Sequence, residues 1–217
     1  MARILITSGP TRQYLDPVRY LSNASSGRMG AALAAAAIEA GHQVTIVSGP
    51  VEIEYPQAAE VVAVVSTEEM LEACRSLFAR CDGLIGAAAP CDYRPEQIAR
   101  QKLSKTGRPR VLNLVETPDI VATLAREKTS QWMVAFALET EDPRLRAMQK
   151  LERKNCDLIV LNGPAAIRAA DTRVEIIDRS GNVVGQFAGS KLEVARAIFR
   201  VLDEKLIHPV PSPSGRG

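Results

Sequence analysis

The sequence predicts a doubly wound α/β fold, a mainly parallel sheet with helices on both faces. Two observations carry that reading. Short runs rich in Ile and Val recur along the 217-residue chain, and helical patterns lie between most of them. The runs are RILITS (3–8), QVTIVS (43–48), EVVAVV (60–65), GLIGAAA (83–89), WMVAFA (132–137) and DLIVLN (157–162). Continuous apolar runs of this length suit strands buried on both faces of a parallel sheet. Strands that alternate with helices form crossover units, which gives a Rossmann-like architecture.

The helices follow in order. Ser25 or Ser26 can cap a first helix over 26–40, which Gly41 closes. Thr67 starts a second over 67–80, with Glu68 and Glu69 in the first turn, where the helix dipole favours acids. A third covers 119–128. A fourth covers 143–154, with Asp142 at the cap and Pro143 at the first helical position. Beyond 162 the pattern changes: TRVEIID and VVGQFA flank RSGN (179–182), which reads as a β-hairpin before a last helix near 189–207. The tail HPVPSPSGRG (208–217) is rich in Pro, Gly and Ser and is expected to be disordered. Residues 1–207 thus read as a single domain without internal repeats. Residues 93–117 are polar, basic and long for a connection, so they read as a flap over a site, with a solvated insertion as the alternative. Within them VLNL (111–114) alternates as a strand does.

Composition excludes several function classes. Lys and Arg number 27 against 25 Asp and Glu, so no overall field points to nucleic acid or a membrane. Four cysteines without a C-x-x-C pair, and two histidines, offer no zinc spacing. Free thiols in a reducing compartment are expected, with Cys74 and Cys81 at helical spacing on one buried face. The chain enters its first strand without a leader and holds no apolar stretch long enough to span a bilayer, so the expected location is cytoplasmic.

Polar residues gather at strand ends. SSGRMG (25–30) lies between the first strand and the first helix, where free backbone N–H groups can meet an anion; such a turn can also merely pack helix on sheet. It is not G-x-G-x-x-G, and the second strand ends in Val47-Ser48-Gly49 without the acid that holds a ribose, which argues against a dehydrogenase. AAAPCDYRP (87–95) places small residues and Asp92 at the end of the fourth strand. Asp92 is either a turn former or a carboxylate for Mg²⁺ near the arm lysines Lys102 and Lys105. Lys150 and Lys154 share a helix face, either solvated or aimed across a crevice, and Thr117-Pro118-Asp119 caps a helix with Pro in its first turn.

TRxxxDPVRYxSNxSSGxMG, AAAxxDYRP, a KxxK arm, TPDIV, FALET, the Lys150/Lys154 helix and KNCDLIVLN, in that order over residues 3–205, resemble the phosphopantothenoylcysteine synthetase family. The resemblance implies a ligase of coenzyme A biosynthesis that joins 4′-phosphopantothenate and L-cysteine. It implies an acyl-cytidylate intermediate, with release of pyrophosphate and CMP. It implies that Asn23, Arg19 and Lys102 are catalytic. It implies a nucleotide pocket of Gly86, Ala87, Ala88, Asp92, Pro118, Asp119, Ile120, Val121, Phe136, Lys150 and Lys154, with Lys102. The Ser25-Ser26-Gly27 turn would meet the triphosphate. It further implies CTP, as in bacterial members, Mg²⁺ at Asp92, and a homodimer whose flap reaches the partner. No flavin is expected, because the flavin-dependent decarboxylase fused ahead of this ligase in many bacteria precedes the strand at which this chain begins. The alternative is a nucleotide-binding regulatory or partner subunit that has lost ligation. Departures from the family pattern are Pro90-Cys91 for Val-Ala, Gln13 for Glu, Ser104 for Lys, and Pro10 in the first turn.

Overall fold

The structure is a computed structural model and describes residues 1–138, 141–163 and 171–209. Six strands are parallel: β1 (Arg3–Ser8), β4 (Gln43–Ser48), β5 (Glu60–Ala63), β6 (Gly83–Gly86), β9 (Trp132–Leu138) and β10 (Leu158–Asn162). Two more, β11 (Asp171–Asp178) and β12 (Val183–Ser190), add antiparallel, giving the order β12-β11-β10-β9-β6-β1-β4-β5. The parallel part therefore has the Rossmann arrangement, with the chain leaving β1 toward one edge and β6 toward the other.

Strand side chains alternate between two cores. Ile4, Ile6, Ile46, Val134 and Val160 pack under α1 (Arg28–Glu39) and α5 (Lys191–Leu202). Leu5, Val47, Met133, Ala135 and Ile159 pack under α2 (Thr67–Phe78), α3 (Ile120–Glu127) and α4 (Pro143–Arg153). Burial on both faces is why the runs read as continuous rather than alternating. Gly83 has a packing reason, since a Cβ there would lie 2.1 Å from the Trp132 ring.

Several boundaries differ from expectation. The 60–65 and 83–89 runs leave the sheet at Ala63 and Gly86, and the last helix ends at Leu202, followed by a π-helical turn over Asp203–Ile207. Two short hairpins had no periodic signal: β2 (Arg12–Tyr14) with β3 (Tyr20–Ser22), and β7 (Tyr93–Pro95) with β8 (Leu114–Glu116). The segment 93–117 is thus a hairpin stem carrying a long arm, and of VLNL only Leu114 is in a strand. Cys81 lies beyond the end of α2 rather than on it, with Cys74 buried and Cys81 half-buried. All four cysteines are free, and burial pushes the Cys74 and Cys156 thiols up to about 12. No described helix is long and apolar enough to cross a membrane. Of the expected tail, residues 210–217 lie outside the described ones, as do Glu139 and Thr140 of FALET.

Candidate functional site

A cleft of about 950 Å³ opens at the carboxyl ends of the parallel strands and takes in the switch point between β1 and β6. It straddles the sheet edge. On the α1/α5 side its lining includes Met29, Ala87, Phe136, Leu138, Asn162, Thr172 and Lys191. On the α3/α4 side it includes Ala88, Pro118 to Ala122, Ala135, Ala137, Arg126, Lys150, Arg153 and Lys154. A second cavity of about 670 Å³, mostly apolar, lies behind it between the start of α4 and β10–β11 and shares Asn162.

The turn before α1 brings backbone to the cleft without a cap. Gly27 is the N-cap residue with φ of 74°, no side chain caps the helix, and no acid stands in its first turn. Ser25 Oγ accepts the Gly27 N–H at 3.4 Å, and no side chain caps the helix, so neither Ser25 nor Ser26 serves as the cap that was expected. The first helical bond runs from Ala31 N–H to Gly27 O, which leaves the N–H groups of Arg28, Met29 and Gly30 without intrahelical acceptors. Gly30 permits this approach, because a Cβ there would lie 2.1 Å from Ser8 Oγ.

The opposite helix is closed. Asp119 Oδ1 accepts the Ala122 N–H at 3.0 Å and sits 3.0 Å from Lys154 Nζ. Pro118 precedes the cap instead of occupying the first turn. Burial opposes the Asp119 charge, yet Lys154 and the Ala122 N–H outweigh it and hold the carboxyl below its usual range. Asp142 occupies the N-cap of α4 with Pro143 opening the helix, as expected, but its backbone lies in the left-handed region and its side chain makes no capping bond.

Threonines fix the loop after β6. The Cys91 N–H donates to Thr11 Oγ1 at 2.8 Å, while Cys91 O accepts from Thr117 Oγ1 at 2.6 Å and Thr67 Oγ1 at 3.2 Å. Asn23 is tied to this loop, its Nδ2 donating to Pro90 O at 2.8 Å. Its amide nitrogen is thereby oriented by the backbone, and Oδ1 is left as an acceptor. Asp92 follows directly, exposed at the rim, with Glu116 of the neighbouring strand also lining the cleft.

The cleft thus gathers Asn23, Ser25, Ser26, Gly27, Gly86, Ala87, Ala88, Asp92, Pro118, Asp119, Ile120, Val121, Phe136, Lys150 and Lys154. Arg19 and Lys102 do not line it. Arg19 Nη2 donates to Leu103 O at 2.7 Å, and the buried Asp16 carboxylate accepts the N–H groups of Val18, Arg19 and Leu103. Arg19 therefore ties down the arm beside Lys102, which is exposed. Sequence reasoning missed Glu116, Arg126, Arg153, Asn162, Thr172 and Lys191 as site residues; Asn162 closes the motif KNCDLIVLN but was given no role there. Only a sheet model with the strand ends placed side by side would have singled out Asn162 and Thr172.

Residues 1–206 match the model of the DNA/pantothenate metabolism flavoprotein C-terminal domain. The chain belongs to that family. It is 44% identical over 204 residues to a cysteine/cysteine sulfinic acid decarboxylase of an unknown prokaryotic organism, covering 91% of this chain and 57% of that protein. To the coenzyme A biosynthesis bifunctional protein CoaBC of Vibrio parahaemolyticus it is 46% identical over 162 residues, covering 73% of this chain and 41% of that protein. The chain thus spans about half the length of the curated relatives it matches. The crystal structure of the C-terminal domain of a CoaBC protein superposes with a TM-score of 0.82 at 36% identity, covering 95% of this chain and 96% of that one.

Proposed function

We propose that this domain is a phosphopantothenate–cysteine ligase of coenzyme A biosynthesis, working in the cytoplasm as a homodimer with CTP and Mg²⁺. The observation that carries the reading is the cleft itself. It joins a positioned amide, Asn23, an uncapped helix N-terminus and a cationic wall at one switch point, beside a match to CoaBC C-terminal domains.

The chemistry runs in two displacements. A carboxylate oxygen of 4′-phosphopantothenate attacks the α-phosphorus of CTP, the bond to the β-phosphate oxygen breaks, and pyrophosphate leaves. The cysteine amine then attacks the acyl carbon, the bond to the CMP oxygen breaks, and the amine gives up a proton. Asn23 Oδ1 accepts from that amine and orients it. The open N–H groups of α1 hold phosphate oxygens, and Lys150 and Lys154 offset charge on the α3/α4 side.

Among the described residues no cluster of three or more His, Cys, Asp or Glu side chains could hold a metal ion. The donors at the rim are carboxylates, Asp92 and Glu116, and that suits Mg²⁺, which binds through one or two carboxylates, water and substrate phosphates. Bound there, Mg²⁺ would neutralise phosphate charge.

The two hairpins support a dimer. They carry Val18, Tyr20, Tyr93, Ile98, Val111 and Leu114, all exposed, and the Ala99 N–H donates to Leu15 O to hold them side by side. Exposed apolar residues gathered in this way mark an interaction surface. A flap from the partner is also the route by which Lys102 reaches a cleft. The position of Arg19 and Lys102 outside the cleft favours the alternative, a nucleotide-binding subunit without ligation. One assay separates the two. Protein, 4′-phosphopantothenate, CTP and Mg²⁺ should release pyrophosphate, with CMP and the amide appearing only when cysteine is added. CTP binding without pyrophosphate, from CTP or ATP, selects the alternative.

A further inference from the structure

We propose that Tyr55 is a positioning residue for the open turn before α1: its hydroxyl, acting through Ser8, fixes the backbone whose free N–H groups meet phosphate. This rests on the ligase reading for its kinetics, though not for anion binding. Tyr55 does not line the cleft and belongs to none of the sequence motifs. It stands in the loop after β4, residues 49–59, where Val51, Ile53 and Tyr55 are half-buried while Glu52 and Glu54 between them are exposed.

Three hydroxyls form a chain with one direction. Ser8 has a single proton, and it goes to Gly27 O at 3.2 Å. The 2.9 Å contact between Tyr55 Oη and Ser8 Oγ therefore takes the Tyr55 proton. Tyr55 Oη in turn accepts from Ser48 Oγ at 2.7 Å, a serine that also lies 2.7 Å from Gly49 O and shares its proton between the two. The chain thus ends on Gly27 O, the same oxygen that accepts the first helical bond, from the Ala31 N–H. Ser8 and Ser48 are both buried, so neither proton has water to turn to. Hydrogen bonds in such a series strengthen one another and hold one orientation.

Fixing that oxygen aims an N–H group. Gly27 O and the Arg28 N–H belong to one planar trans peptide, so an oxygen held inward by Ser8 turns the N–H outward. Packing grips the same residue from the loop side. Gly27 holds φ of 74°, and a Cβ there would lie 2.9 Å from Val51 Cγ1 and 3.3 Å from Ile53 Cδ1. A Cβ on Gly9, at φ of 75°, would meet Val51 Cγ1 at 2.8 Å. The Tyr55 ring packs on the α1/α5 core beside them. Removing only its hydroxyl leaves that packing in place and frees the orientation of Ser8 and of the Gly27 peptide.

The test is calorimetric titration of the full chain with inorganic tripolyphosphate, beside steady-state kinetics and thermal melting, on Tyr55→Phe and Ser48→Ala. Tyr55→Phe should weaken tripolyphosphate binding about fivefold and raise KM for CTP by the same factor, while KM for cysteine stays within about twofold. Ser48→Ala also removes a partner of Tyr55 but leaves its bond to Ser8. It should lower Tm comparably and keep tripolyphosphate binding within about twofold of wild type. Equal weakening in both variants would make the hydroxyls merely structural and overturn the proposal. Unweakened binding by Tyr55→Phe, or a wild-type chain that binds no tripolyphosphate, overturns it as well. Wild-type binding without release of pyrophosphate from CTP or ATP breaks the ligase reading instead, and the calorimetric comparison of the two variants still decides the role of Tyr55.

Discussion

Two helices begin at the rim of the same cleft, and they treat their free N–H groups in opposite ways. At α3 the chain satisfies itself: Asp119 caps the helix and binds Lys154, so the positive end of the dipole is already answered by a carboxylate. At α1 no side chain among the described residues caps it, because Gly27 supplies no side chain and the first turn holds no acid. An anion arriving at the cleft gains more at α1, where it displaces only water, than at α3, where it competes with a fixed negative charge. The difference makes the α1 turn the better seat for an anion of the two. The α3/α4 wall offers instead the lysine and arginine side chains set around its closed helix.

The strongest way to break this contrast is to push α1 off the sheet. In Gly30→Ala the new Cβ would meet Ser8 Oγ at 2.1 Å and Ser8 Cβ at 2.5 Å, with Ser8 itself fully buried. We expect a loss of about 3 kcal/mol, as for overpacking in a tight core, read from the urea midpoint at unchanged m. Pyrophosphate release should fall with it. A stability within 0.5 kcal/mol (roughly the scatter of surface substitutions) would mean that α1 has room to shift and that its close approach is not needed.

The α3 end should respond more weakly. Asp119→Ala removes a cap, worth about 1 kcal/mol, and strands the Lys154 charge. Asp119→Asn keeps a capping oxygen and loses only the charge, so it should cost less. The Asp119 carboxyl is held below its ordinary value of 3.8, against the opposing effect of burial. Its charge therefore stabilises the fold fully above about pH 4, and that contribution is lost as pH falls through the lower folded value. Urea titrations of wild type and Asp119→Asn should run parallel from neutral pH down to about 5 and converge in stronger acid. Convergence already at neutral pH would show that Lys154 adds nothing through Asp119.

The same contrast marks where sequence reading stops. Five of the six parallel strands were legible because burial on both faces writes itself into composition, as in RILITS and WMVAFA; β5, at the sheet edge, is mostly exposed. The antiparallel pair was legible from RSGN, whose turn has Gly181 at φ of 82° and Asp178 accepting the Ser180 and Asn182 N–H groups. The caps were not. Ser25 and Ser26 have cap chemistry, but the close packing of Gly30 on Ser8 leaves the start of α1 at Gly27, and only the tertiary approach decides that. The threonine anchors of Cys91 lie 80, 24 and 26 residues away, beyond any local pattern. Asn162 and Thr172 look like ordinary strand-end polar residues until the sheet sets them beside Phe136.

The smallest expected effect concerns the arm, which separates tethering from chemistry at Arg19. In the structure Arg19 holds Leu103 O at 2.7 Å and lies 3.6 Å from the Asp16 carboxylate. Burial works against the Asp16 charge, yet the N–H groups of Val18, Leu103 and Arg19 and the Arg19 guanidinium outweigh it, so the carboxyl sits below its usual range. That tether is therefore complete at neutral pH and loosens only in acid, below about pH 4. Arg19→Ala should leave the urea midpoint almost unmoved, since a half-exposed ion pair contributes little. It should nonetheless speed tryptic cleavage at Arg100 and Lys105, which flank Leu103. Asp16→Asn should speed it further, because the buried acceptor serves three N–H groups and not one. If Arg19→Ala abolishes pyrophosphate release while cleavage of the arm stays at the wild-type rate, Arg19 acts on the substrate directly and the bond to Leu103 is incidental. If cleavage quickens and activity falls in the same proportion in both variants, holding the arm is the way Arg19 serves the reaction.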